Sequence, residues 1–97
     1  MSEDPVTAFH TFIEGHVQGV GFRYFVLEQA NNLRVKGWVR NTYRDEVEVV
    51  AEGSRAVLEA FLMKLQRGPA SAYITGLRTE WQPASGQYSG FRIAPTV

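Results

Sequence analysis

The chain has 97 residues, of which 44% are hydrophobic and 21% charged, a balance that suits one globular domain spanning 1–97 and leaves no room for a second module. Ten basic and ten acidic residues cancel, so the total charge encodes no broad footprint for nucleic acid or an anionic membrane, although eight of the ten cations are Arg and a local basic site stays open. The absence of cysteine excludes a disulfide framework, a thiol nucleophile and a thiolate metal site.

Met1-Ser2-Glu3-Asp4-Pro5 is acidic and short, without the basic and apolar regions of a secretory signal, and no stretch reaches the ~20 apolar residues of a membrane span. The expected setting is therefore cytoplasmic, with disorder confined to the ends. Thr7 to Glu14 is rich in aromatic and β-branched residues and is closed by Gly15, which predicts a first strand. Phe22, Phe25, Val26, Ala30 and Leu33 then form a helical stripe that fades at Asn31-Asn32 and Gly37. Val35 to Asn41 resumes a strand. Glu46 to Glu52 alternates, with Val47, Val49 and Ala51 on one face and Glu48, Val50 and Glu52 on the other, and Tyr43-Arg44-Asp45 connects the two strands as a hairpin. Ser54 is a natural N-cap for a second helix whose stripe is Val57, Leu58, Phe61, Leu62 and Leu65, ended by Gly68-Pro69. Tyr73 to Trp81 reads as a strand, Pro83 to Gly90 as an irregular link, and Phe91-Arg92-Ile93 as a short final strand.

This order is the split βαβ pattern of an α+β, ferredoxin-like fold: a mostly antiparallel sheet with both helices on one face. Val47, Val49 and Ala51 should face the helices, and Glu46, Glu48 and Glu52 should lie on a solvated strand edge or face. The architecture alone fixes no function.

The stretch that carries chemistry is Gly15-His16-Val17-Gln18-Gly19-Val20-Gly21-Phe22-Arg23. Three glycines within seven residues allow backbone N–H groups to converge, and the helix that follows adds its free N–H groups and the positive end of its dipole. Arg23 would present a planar fork to two phosphate oxygens at once. The glycine spacing by itself suits a phosphate cradle and a plain strand-to-helix turn equally.

Taken together with Gly37-Trp38-Val39-Arg40-Asn41, the stretch resembles the two signature segments of the acylphosphatase family. The first fits Gly-x-Val-Gln-Gly-Val-x-Phe-Arg at every specified position, and the second supplies Gly, an aromatic, Val, a basic residue and Asn. The likeness extends through Val47-Glu48, Glu52-Gly53, Gly68-Pro69 and Gly90-Phe91-Arg92-Ile93. It implies hydrolysis of the carboxyl–phosphate bond of a small-molecule acyl phosphate to a carboxylate and inorganic phosphate, without metal or cofactor. By this match Arg23 binds the phosphoryl group, the backbone of His16, Val17, Gln18, Gly19, Val20, Gly21 and Phe22 cradles it, and Asn41 positions the attacking water. Product phosphate would be a competitive inhibitor, nucleic acid and membrane would not be partners, and the protein would act as a monomer. One departure stands out: Thr42-Tyr43-Arg44-Asp45-Glu46 replaces the Asp-Gly turn of many relatives, which leaves the hairpin geometry and substrate access open.

The chemistry agrees with that residue set. An acyl phosphate releases a carboxylate whose acid has a pKa of about 4, so the leaving group departs without a general acid. Phosphoryl transfer through a loose transition state asks for positioning and for donors around the equatorial oxygens. Asn41 offers a donor and an acceptor without titrating, although Asn is equally at home as a turn residue ending a strand. His16 reads as a loop side chain near the mouth, His10 as an ordinary strand residue, and the pair completes no metal-ligand spacing. Trp38 and Phe22 read as core or loop supports, and Arg40 should point away from Asn41 because neighbouring strand residues alternate. A single-stranded RNA-binding module is the rival on this topology. Lys36-Gly37-Trp38-Val39 begins like its aromatic motif, but Arg40 and Asn41 then occupy positions that call for an aromatic and an aliphatic residue. A third reading keeps the cradle within a regulatory or carrier-enzyme component.

Overall fold

The computed structural model describes residues 5–97; the acidic Met1–Asp4 stretch, and the expectations that fell on it, lie outside the described residues. In chain order the elements are β1 (Val6–His16), α1 (Phe22–Leu33), β2 (Lys36–Asn41), β3 (Val47–Ser54), α2 (Arg55–Arg67), β4 (Tyr73–Pro83) and β5 (Phe91–Ile93). They build one five-stranded sheet in the order β4-β1-β3-β2-β5, antiparallel throughout except for the parallel β2–β5 pair. The fold is ferredoxin-like, as the element order implied.

Alternation along the strands decides what faces the helices. Phe9 and Ile13 of β1, Val39 of β2 and Val47, Val49 and Ala51 of β3 are fully buried against Val26 and Ala30 of α1 and Leu58, Phe61 and Leu65 of α2. Both helices thus cover one face of the sheet. Each is too short to be stable alone in water, so this shared burial is what holds it.

Two expectations are corrected. β1 does not stop at Glu14: it runs on to His16 through an irregularity between Glu14 and Gly15, keeping its pairing with β4. Gly15 takes φ +131°, and a Cβ there would sit 2.1 Å from the Tyr73 carbonyl oxygen, so the glycine permits a close strand crossing rather than ending the strand. The glutamates on and just before β3 are not solvated either. Glu46, Glu48 and Glu52 are all buried, because β3 is the middle strand and its outward residues are flanked by side chains from both sides.

Each of those carboxylates has partners. Glu48 accepts from His10 Nε2 at 2.6 Å and from Arg40 Nε at 2.7 Å. Glu52 accepts from the Ser85 backbone N–H and hydroxyl and from the Gly86 N–H, at 2.7 to 3.0 Å. Glu46 pairs with Arg78, which also reaches Glu14. Burial pushes the Glu48 and Glu52 carboxyls up, but the hydrogen bonds and nearby cations together outweigh it and hold both below the ordinary carboxylate value.

Candidate active site

The loop from β1 to α1 is anchored by its apolar side chains and open at its glycines. Val17 and Phe22 are buried at the ends of the turn, and Val20 packs against the core between them. Gly19 and Gly21 lie on the outside with φ +75° and +76°, and nothing comes within 4 Å of a Cβ built on either. Space therefore does not demand glycine there; the left-handed backbone does. Among the described residues only Arg34 and Asp45 are non-glycines with positive φ, so Gln18, Val20 and Phe22 take the opposite sign. This alternation of φ sign along Gln18-Gly19-Val20-Gly21-Phe22 is the backbone pattern that an anion-binding nest requires. Gly15 plays no part in that alternation, so two of the three glycines belong to the nest and the third to the β1–β4 crossing.

Helix α1 begins where the nest ends. Its N-cap is Gly21, which offers no side-chain acceptor, and no acidic residue stands in the first turn. The first N–H groups of α1 thus have no capping side chain and lie beside the nest. Helix α2 differs: Ser54 Oγ accepts the Val57 N–H at 3.3 Å. Arg23, in the first turn of α1, is half-buried and makes no ion pair or hydrogen bond among the described residues.

Asn41 ends β2 on the helix-covered face, two residues from the buried Val39, while Arg40 faces the other way and is taken up by Glu48. The guanidinium of Arg40 also lies 4.5 Å from the Trp38 ring centroid. Asn41 Oδ1 is buried and accepts no hydrogen bond from any described protein group. Its main chain is fixed, since the Asn41 carbonyl accepts the Val97 N–H at 3.3 Å and its register partner is Val47 of β3.

The hairpin after Asn41 closes without an Asp-Gly turn. Asp45 itself takes φ +63°, a conformation Asp tolerates better than most residues. The Thr42 hydroxyl accepts the Arg44 and Glu46 N–H groups at 3.1 and 3.4 Å, and the Thr42 N–H donates to the Glu46 carbonyl at 2.9 Å. Two side chains then fasten the nest from outside. Gln18 Nε2 donates to the carbonyls of Thr42 and Glu46 at 2.8 and 2.9 Å, and Ser71 Oγ donates to the Val20 carbonyl at 3.0 Å. Neither fastening was legible from residue type, because Gln18 and Ser71 have no local partner and the contacts span 24 to 51 positions.

His16 closes β1 opposite Tyr73 and is exposed, and Trp38 lies on the open face of the sheet, half-buried, with no part in the nest. Among the described residues no three His, Asp or Glu side chains gather in a metal-binding arrangement, and no helix is long and apolar enough to cross a membrane.

The family model for acylphosphatase matches residues 9–93. The chain belongs to the acylphosphatase family. It is 46% identical over 88 residues to the acylphosphatase of Moorella thermoacetica, covering 91% of this chain and 94% of that one. Among solved structures it superposes on an acylphosphatase from Bacillus subtilis with a TM-score of 0.88 at 31% identity, covering 91% of this chain and 98% of that one. A second, from Coxiella burnetii, gives 0.86 at 33% identity over 97% of this chain and all of that one. Acylphosphatases are hydrolases acting on acid anhydrides, and the nest, Arg23 and Asn41 all fall within the matched residues.

Proposed function

We propose that the protein hydrolyses small acyl phosphates by in-line attack of a water held by Asn41 on a phosphoryl group held by Arg23 and the backbone N–H groups of residues 16–22. The observation that carries this reading is the Asn41 amide: a buried Oδ1 that no donor among the described residues reaches, on the same sheet face as the uncapped start of α1. Buried acceptors are otherwise nearly always paired, and water is the small donor that satisfies such a group without a protein partner.

The steps follow from the donor set. Arg23 and the nest bind the equatorial oxygens and spread their charge, most strongly as the P–O bond lengthens. Asn41 Oδ1 accepts a hydrogen bond from the water and so aims its oxygen at phosphorus. The new O–P bond forms as the bond to the carboxyl oxygen breaks, the electron pair leaves with the carboxylate, and the water's proton passes to a phosphate oxygen. No general acid is needed, because a carboxylate is a good leaving group at neutral pH. On this reading the enzyme works as a monomer in the cytoplasm, without metal or cofactor, and phosphate competes with substrate.

The test is phosphate release from benzoyl phosphate in the presence of a strong chelator, beside a simple alkyl phosphate. Rapid release from the first, none from the second and competitive inhibition by phosphate are expected. Comparable rates on both substrates, or a loss on chelation that a divalent ion restores, would overturn the mechanism.

A further inference from the structure

The two halves of this site lie on strands that do not touch. The nest hangs from β1 and Asn41 ends β2, but β3 lies between those strands in the sheet, so no strand ladder sets the distance from phosphate cradle to water-holding amide. One side chain spans the gap. Gln18 sits inside the nest, and its Nε2 donates one hydrogen to the carbonyl of Thr42, the residue after Asn41, and the other to the carbonyl of Glu46, the residue before Asn41's partner Val47. A single NH₂ group thus registers the loop against β2 and β3 together, at the pair that closes their hairpin.

The residue type suits the task. Two facing carbonyls need two donors from one atom; a carboxylate would repel them, a hydroxyl offers one hydrogen, and an ammonium would add charge beside the phosphate cradle. Asn is one methylene too short to bridge from the same backbone position. The apolar anchors Val17 and Phe22 keep the loop folded without this link, so its contribution is to alignment.

We propose that the Gln18 side chain is a positioning residue that holds the phosphate cradle in register with Asn41, so that the attacking water lies in line with the scissile bond. This rests on the mechanism proposed above. A misalignment of about 1 Å costs up to roughly 10²-fold in rate, whereas phosphate binding needs the nest and Arg23 alone.

The experiment is a double-mutant cycle of Gln18→Met with Asn41→Ala, reading kcat on benzoyl phosphate, the inhibition constant of phosphate and the thermal midpoint of each variant. Gln18→Asn serves as a second route should Gln18→Met fail to fold. Expected is a kcat loss of about tenfold or more for Gln18→Met, phosphate affinity within about threefold of the parent, and little further loss when Asn41→Ala is already present. A folded Gln18→Met with unchanged kcat, an equal loss in both backgrounds, or a parallel loss of phosphate affinity would each overturn the proposal. Failure of the underlying mechanism has a separate signature: Asn41→Ala alone would keep its kcat.

Discussion

Arg40 and Asn41 are chain neighbours on opposite faces of one sheet, and the two faces treat buried polar groups in opposite ways. On the face away from the helices, Glu46, Glu48 and Glu52 are buried and each is met by cations, hydroxyls or N–H groups. On the helix-covered face, Asn41 Oδ1 is buried and meets no donor among the described residues. A buried acceptor that protein donors leave open is one that a water can fill. The satisfied face holds the sheet together, and on the mechanism proposed above the open acceptor is kept for the attacking water.

If that division is right, variants of the two faces should fail in different assays. The largest expected effect is Arg23→Gln, which removes the guanidinium assigned to the phosphoryl group and should lower kcat/KM by about 10³-fold and weaken phosphate inhibition, with little change in the unfolding midpoint. Arg23→Lys should not rescue it, since an ammonium cannot supply a bidentate fork. Steady-state kinetics with a denaturation curve checks both.

Asn41→Ala comes next. It should cost roughly 10²-fold in kcat while leaving phosphate affinity near that of the parent, because the proposed mechanism sets the amide against the water and not against the phosphoryl group. It should leave stability within about 1 kcal/mol of the parent, since Oδ1 accepts from no described protein group and no protein hydrogen bond to it is lost. A clear loss of stability would mean that the amide is structural, and the contrast between the faces would collapse.

The open face gives the mirror image. Glu48→Ala strips His10 and Arg40 of their shared carboxylate and should destabilise the fold by about 2 kcal/mol, a figure kept modest because both partners are partly exposed. Its kcat, measured on the folded fraction, should stay within about twofold. An equal fall in kcat would show that the two faces are coupled through β2.

How much of this was legible in the sequence follows from the range of each interaction. The element order and the core stripe Val47-Val49-Ala51 could be read because alternation is local. The roles expected of Arg23 and Asn41 rest on two linked motifs that match a family pattern, and the kinetics above are what test them. The burial of Glu48 could not be read, since it depends on β3 lying between β1 and β2, and strand order is not written in any one strand. The Gln18 bridge was hidden for the same reason. Gly15 misled because a glycine that ends a strand and a glycine that lets one cross its neighbour look alike until Tyr73 is in place.

The smallest effect expected is on acid stability, and its sign follows from the two shifted carboxyls. Glu48 and Glu52 both have folded-state pKa values below the ordinary one, with burial opposing the shift and hydrogen bonds from Arg40 and His10, or from Ser85 and Gly86, outweighing it. A carboxyl with a lower pKa in the folded state binds fewer protons folded than unfolded. Stability from these groups is therefore complete above the unfolded value of about 4.3, declines as pH drops below it, and is gone once pH has passed through the folded values. Unfolding midpoints should accordingly be flat in this respect above about pH 5 and fall below about pH 4. Glu48→Gln should shift the protein to lower stability at neutral pH yet flatten the acid limb, since the variant has one carboxylate fewer to protonate. An acid limb unchanged in Glu48→Gln would assign the decline to other carboxylates and remove Glu48 from the account of how the open face is held.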